Sequence, residues 1–210
     1  MPSAPMIGAV ILAAGAGRRM GACKPLLEID GRTLIERLVE TFRAAGVAEP
    51  RVVVAPGADE LIRRLAGLRV PAVVNPDPSR GMFSSVRTGV AALPADLDGF
   101  FVHPADIPFV RSETLRRLIA ALTPGVAVAH PRVAGRRGHP PLLAAEWRPV
   151  LLRGADPPDG LRGVLAAAPV GRVAEVPCDD EGARFDLDTP VDWRAAQRPE
   201  SPLPRTGPAV

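Results

Sequence analysis

Residues 9 to 27, AVILAAGAGRRMGACKPLL, run from an apolar stretch into small residues and glycines, pass two arginines and reach Lys24. Lys24 is the only lysine among the 26 lysines and arginines of this 210-residue chain. Small side chains from Ala13 to Gly17 let backbone N–H groups approach a ligand, while Arg19 and Lys24 bring fixed positive charge beside them. That combination suits a polyphosphate, although the spacing alone also fits a solvated surface turn. Two better-known glycine-rich loops are excluded. A dinucleotide fingerprint needs a glycine where Met20 stands and an acidic residue after the second strand, which ends in Val54, Ala55 and Pro56. A P-loop ends in Gly-Lys followed by Ser or Thr, whereas Lys24 sits between Cys23 and Pro25.

Four further stretches carry groups that could act on such a ligand. In NPDPSRGMFSSVRTGV (Asn75 to Val90), turn formers lead into a helix whose first turn holds Ser84 and Ser85. This is an anion or ribose site, or ordinary capping. In HPADIPFV, Asp106 falls just past a buried strand, between Pro104 and Pro108. A carboxylate there that faces a triphosphate needs a divalent cation between them; the alternative is a plain turn residue. In RFDLDTPVDW, Asp186 and Asp188 are two apart, so an extended backbone points both to one side, and either could join Asp106 on a metal. Thr189, Pro190 and Asp192 have the order of an N-cap, an N1 proline and an N3 acid, which makes Asp192 structural. In GRRGHPPLL, His139 is either a hydrogen-bonded structural residue or a contact to an acceptor substrate.

The elements that must position these groups follow from periodicity. Apolar, β-branched runs alternate with helical segments, the pattern of an open α/β sheet. Strands are expected at Gly8–Ala13, Arg51–Ala55, Pro71–Asn75, Gly99–His103, Gly125–His130 and Arg172–Val176. Helices are expected over Leu34–Ala45, opened by a capping box of Thr33 and Glu36, and over Glu60–Leu68, Ser84–Leu93 and Glu113–Leu122, the last behind Ser112 as N-cap. From Pro131 to Asp159 both signals weaken, and an irregular excursion over the active face is expected. In a doubly wound sheet, ligands bind at the carboxyl ends of the strands, which is where the first loop and Asp106 fall.

Composition narrows the function classes. With 47% hydrophobic and 23% charged residues the chain suits one globular domain, placed at residues 1–196. The proline-rich stretch 197–210 is expected to be disordered. A net charge of +3, scattered arginines and 4% aromatics with no tyrosine argue against nucleic acid as a partner. Cys23 and Cys178 have neither metal-ligand spacing nor a disulfide framework, which fits a reducing cytoplasm. The apolar run Met6–Ala14 is too short to cross a bilayer, so no membrane association is expected.

Taken together, the chain resembles the nucleotidyltransferases of molybdenum-cofactor biosynthesis, up to about Arg194. The resemblance rests on LAAGAGRRMGACKPLL (Leu12 to Leu27), GMFSSVRTGV (Gly81 to Val90), PADIPFV (Pro104 to Val110), GHPPLL (Gly138 to Leu143) and DLDTPVDW (Asp186 to Trp193), in that order. It implies a single α/β domain of Rossmann-like nucleotidyltransferase type, with a mostly parallel central sheet and helices on both faces. It also implies transfer of an NMP from an NTP to the terminal phosphate of a molybdopterin-type acceptor, with Mg²⁺ or Mn²⁺ and release of pyrophosphate. Leu-Ala-Ala-Gly at Leu12 to Gly15 and the GHPPLL segment resemble the cytidylyl-adding members, so CTP is favoured over GTP. By motif, the nucleotide falls to Leu12, Ala13, Ala14, Gly15, Gly17, Arg19, Lys24, Gly81 and Ser85; catalysis to Arg19, Lys24 and Asp106; metal to Asp106, Asp188 and Asp186; and the acceptor to Gly138 and His139. A molybdoenzyme that receives the product is a further implied partner. The chain departs from the family pattern at His103 and at Arg136–Arg137, which bears on the acceptor rather than on the reaction class. Two rivals remain: transfer to another phosphorylated acceptor, such as a sugar phosphate or phospholactate, and a non-catalytic chaperone that binds molybdopterin.

Overall fold

The apolar run near the N-terminus forms β1 (Ile7–Ala13), buried almost end to end. Its alternate residues serve different faces: Ala9 and Ile11 join one apolar cluster, Val10 and Leu12 another. A strand covered on both faces must be apolar at nearly every position, which is why the run reads as continuous instead of alternating. The computed structural model describes residues 4–15, 23–48, 50–154 and 156–197. The expected tail lies outside them from residue 198 onward, as do Gly17 and Arg19.

After β1 come β2 (Glu28–Ile29), β3 (Arg32–Thr33), α1 (Leu34–Ala44), β4 (Pro50–Val54), α2 (Asp59–Gly67), β5 (Ala72–Val74), α3 (Met82–Ala91), β6 (Gly99–Pro104) and α4 (Ser112–Ala121). Then follow β7 (Val128–Val133), β8 (Arg136–Arg137), β9 (Leu142–Ala144), α5 (Trp147–Leu152), α6 (Gly160–Ala166), β10 (Val173–Pro177) and α7 (Pro190–Gln197). The main sheet has the order β10-β7-β9-β6-β1-β4-β5, with β8 folded back on β7. β1 pairs in parallel with β4 and β6, β4 with β5, and β7 with β10. Only β9 and β8 run against the rest.

Helices cover both faces, as expected. Leu38 and Phe42 of α1, Leu61 and Leu65 of α2, and Leu115 and Leu118 of α4 pack on the Ile11 side. Phe83, Val86 and Val90 of α3, Trp147 and Leu151 of α5, and Leu165 of α6 pack on the Leu12 side. A third cluster, Ile29, Leu34, Phe109, Leu187 and Ala196, ties the β2–β3 hairpin and α7 to the turn after β6. The hairpin turns on Asp30 (φ 53°) and Gly31 (φ 74°), the left-handed pair of a type I′ turn that an Asp-Gly sequence favours.

Three expectations need correction. The region Pro131–Asp159 is not an irregular excursion, because it holds the end of β7, β8, β9 and α5. β9 is three residues long and follows two prolines, too short to show a period; it is made by pairing with β6 on one side and β7 on the other. α3 opens at Met82, not Ser84, with Gly81 (φ 95°) ahead of it in a conformation that favours glycine. Ser112 is the first residue of α4, not its N-cap. That end is capped from afar by buried Asp180, whose Oδ2 accepts from the Arg111 N–H (2.9 Å) and the Thr114 hydroxyl (2.6 Å). The two caps read locally are present: Thr33 and Glu36 bond reciprocally at α1, and Thr189 and Asp192 do so at α7.

The segment before α7 approaches the turn after β6 closely. A Cβ added to Gly182 would run into the backbone carbonyl of Phe109, so neither side can yield by moving a side chain. Gly182→Ala is therefore expected to destabilise the fold by about 2–3 kcal/mol, read as a lowered melting temperature; wild-type melting would contradict this packing.

Candidate active site

The strands meet their ligand edge where β1 and β6 end. These neighbours run parallel, with Leu12 opposite Pro104. The chain leaves β1 for β4 on one side and returns as β6 on the other, which is the switch point at which open α/β sheets leave a crevice. The turn after β6 carries Asp106 into it. The Ala105 N–H donates to the Leu12 carbonyl (3.0 Å), and the Asp106 carbonyl accepts from the Leu187 N–H (2.8 Å). Asp106 is thus fixed to the end of β1 on one side and to the segment before α7 on the other.

Lys24 opens a single 3-10 turn, Lys24–Leu26, over buried Pro25. Its ammonium donates to Asp188 Oδ1 at 2.8 Å. Leu12, Ala13, Gly15, Lys24, Pro25, Ala105 and Asp106 together line a cleft of about 90 Å³. Of the expected nucleotide and catalytic residues, Leu12, Ala13, Gly15, Lys24 and Asp106 line this cleft, whereas Ala14 is buried in the Leu12-side core. Leu187, between Asp186 and Asp188, is fully buried, while the charge of Asp188 is felt at Asp186.

The charges are unevenly balanced. Burial pushes the Asp106 carboxyl up, the Lys24 ammonium pulls it down, and the nearby charges of Asp188 and Asp186 push it up again. Asp186 is raised by burial and then by Asp188 and Asp192. Among the described residues no set of three or more His, Cys, Asp or Glu side chains is arranged to hold a metal by itself. Mg²⁺ needs no such cage, since it binds through one or two carboxylates and completes its shell with waters and substrate phosphates. Repelling carboxylates beside a phosphate-sized cleft are an oxygen donor set that fits it.

A larger pocket of about 910 Å³ adjoins the cleft, and Leu12 lines both. Phe83, Val86, Val102 and Leu165 give it an apolar wall; Arg136, Arg137, Arg162 and Arg184 make it basic, against Asp159 as the one carboxylate among the described lining residues. Arg137 is held by Glu175 at 2.8 Å, while Arg136 and Arg162 have no ion-pair partner among the described residues. Gly138 and His139 also line this pocket. The charge of Asp106 is felt at His139, whose pKa is lowered chiefly by burial. Sequence reading missed Arg162 and Arg184: isolated arginines in an arginine-rich chain carry no signal until the fold gathers them.

Ser85, expected at the nucleotide, lies in the first turn of α3. Its hydroxyl is buried and accepts from Asn75 Nδ2 at 2.9 Å, while Ser84 accepts from the same amide at 2.8 Å. The pair pins the start of α3 to the end of β5. Exposed Gly81 and Met82 are what that turn offers to a ligand, and Met82 lines the larger pocket.

Comparison with known proteins agrees with this architecture. Residues 9–174 match the model of the MobA-like NTP transferase domain. The nicotine blue oxidoreductase of Paenarthrobacter nicotinovorans is 35% identical over 88% of this chain and 93% of its own. The molybdenum cofactor guanylyltransferase of Rhodopseudomonas palustris is 32% identical over 94% of this chain and 97% of its own. Among solved structures, Rv0371c of Mycobacterium tuberculosis superposes with a TM-score of 0.80 at 26% identity, covering 91% of this chain and 98% of the other. The same protein in complex with manganese has a TM-score of 0.72 at 26% identity, covering 90% and 96%. With a site at the β1–β6 switch point and a family match over most of its length, this chain belongs to the MobA-like NTP transferases and is a nucleotidyltransferase.

Proposed function

We propose that the chain transfers an NMP, CMP from CTP ahead of GMP from GTP, to the terminal phosphate of a molybdopterin-type acceptor in the presence of Mg²⁺ or Mn²⁺. The observation that carries this reading is the placing of Lys24 and Asp106 in one cleft, beside a basic pocket with an apolar wall. The Leu-Ala-Ala-Gly run at Leu12 to Gly15 supports CTP. The guanylyltransferase name of the Rhodopseudomonas relative supports GTP as the second reading.

In the reaction, an oxygen of the acceptor phosphate forms a bond to the α-phosphorus of the NTP as the bond to the β-phosphate oxygen breaks, and pyrophosphate leaves with the electron pair. No general base is required, because the attacking phosphate is already ionised. The protein's part is position and charge. The small residues Ala13 to Gly15 let the triphosphate approach the backbone, and Gly17 and Arg19 continue the same loop. Lys24, now paired with Asp188, would exchange that carboxylate for phosphate oxygens and so leave Asp188 free to act as a ligand. Asp106, with Asp188 or Asp186, would hold the divalent ion; when bound, that ion neutralises phosphate charge. Gly138, His139, Arg136, Arg162 and Arg184 would receive an anionic acceptor with a flat apolar body in the larger pocket.

The test is to incubate the protein with Mg²⁺, molybdopterin and each of the four NTPs, then measure product mass and pyrophosphate. A CMP adduct is expected; a GMP adduct would transfer the assignment to GTP, and no adduct with any NTP would overturn the reading. Asp106→Ala is expected to fold and to lose roughly 100-fold or more of pyrophosphate release. Lys24→Arg should lose a comparable factor, because a planar guanidinium cannot replace a compact ammonium in the cleft; unchanged kinetics would show the lysine to be incidental. Divalent-ion binding requires ionised Asp106, whose raised pKa means the ligand is protonated as pH falls through a value above 3.8, the ordinary one. Mn²⁺ affinity measured against pH should therefore fall off on the acid side above that value.

A further inference from the structure

His103 stands on β6 three residues before Asp106, and its side chain is fully buried. Its ring meets Phe42 edge-on at 5.5 Å between centroids. Phe100, Phe101 and Val102, the residues before it in the strand, are apolar and buried too, so nothing in the packing asks for a polar ring at this position. Moreover, Nδ1 has no hydrogen-bond partner among the described residues. A buried ring nitrogen left unpaired works against stability, and an apolar residue of similar size would avoid that cost.

What the imidazole supplies and an apolar side chain does not is a donor. Nε2 lies 2.8 Å from the Ile107 carbonyl oxygen, which assigns the proton to Nε2. The bond spans the turn, from the end of β6 to the residue after Asp106. Among the described residues, the other hydrogen bonds along that turn's backbone run from the Ala105 N–H to Leu12, from the Ile107 N–H to Pro104 at 3.3 Å, and from the Leu187 N–H to the Asp106 carbonyl. Burial keeps the ring neutral, with its pKa pushed down to about 3, so the same bond persists across the working pH range.

We propose that His103 is a positioning residue whose Nε2–H holds the Ile107 carbonyl and thereby fixes the turn that presents Asp106 to the cleft. This rests on the reading of Asp106 as the divalent-ion ligand. The experiment measures Mn²⁺ binding in the presence of CTP by the loss of the free-ion electron paramagnetic resonance signal, without acceptor or turnover, together with thermal melting. Wild type is compared with His103→Leu, His103→Gln and Asp106→Asn. His103→Leu is expected to weaken Mn²⁺ affinity about tenfold, the range seen when a supporting group behind a metal ligand is removed, while melting no lower than wild type. His103→Gln, which carries an N–H at similar reach, is expected to recover most of the affinity. Wild-type affinity in His103→Leu would overturn the proposal. So would a weakened His103→Leu that also melts well below wild type and is not rescued by His103→Gln, because that is the behaviour of a merely structural residue. Wild-type Mn²⁺ affinity in Asp106→Asn would overturn the ligand reading itself, and this inference with it.

Discussion

The parallel pairing of β1 with β4 on one side and β6 on the other is the constraint on which the rest of the molecule depends. A parallel strand cannot reach its neighbour through a tight turn, so each connection must cross over a face of the sheet with a helix. Those helices bury both faces, and the backbone polar groups at the carboxyl ends of the strands are left toward a shared crevice. Because β4 and β6 flank β1 on opposite sides, the loops after β1 and β6 part there and leave a cleft lined by Leu12, Lys24 and Asp106. A binding edge is thus a consequence of topology before any catalytic side chain is considered.

Electrostatics then decides what that edge can bind. One ammonium faces a group of acids: Lys24 is paired with Asp188, and Asp106 feels Lys24 and both later aspartates. Among the described residues the cleft thus sets three carboxylates against one ammonium, and under the proposed reading a divalent ion would lie between those carboxylates and the triphosphate. The neighbouring pocket is charged the other way, with four arginines against one carboxylate among its described lining residues. Leu12 lines both the acidic cleft and the basic pocket.

Much of the fold was legible because its signals are local. A strand covered on both faces must be apolar throughout, and an amphipathic helix must repeat its apolar face, so the early strands and α1, α2 and α4 were found close to their boundaries. Thr33 with Glu36 and Thr189 with Asp192 were equally readable, since a capping box involves residues three apart. What escaped was built across distance. β9 is a strand only because β6 and β7 pair with it, and the cap of α4 comes from Asp180, 69 positions beyond Arg111.

The sequence by itself determined the reaction chemistry on offer: a small-residue loop with one lysine, an aspartate past a buried strand, and a later pair of acids two apart. Residue type and short spacing suffice for that, because they control charge, reach and backbone conformation. Only the tertiary structure decided which of these groups meet. It paired Lys24 with Asp188 across 164 positions and turned Ser85 inward onto Asn75. It also drew Arg136, Arg162 and Arg184 around one pocket and set His103 behind the turn of Asp106. Such contacts depend on how helices and loops stack around a sheet, a matter of long-range packing that no local pattern in the chain encodes.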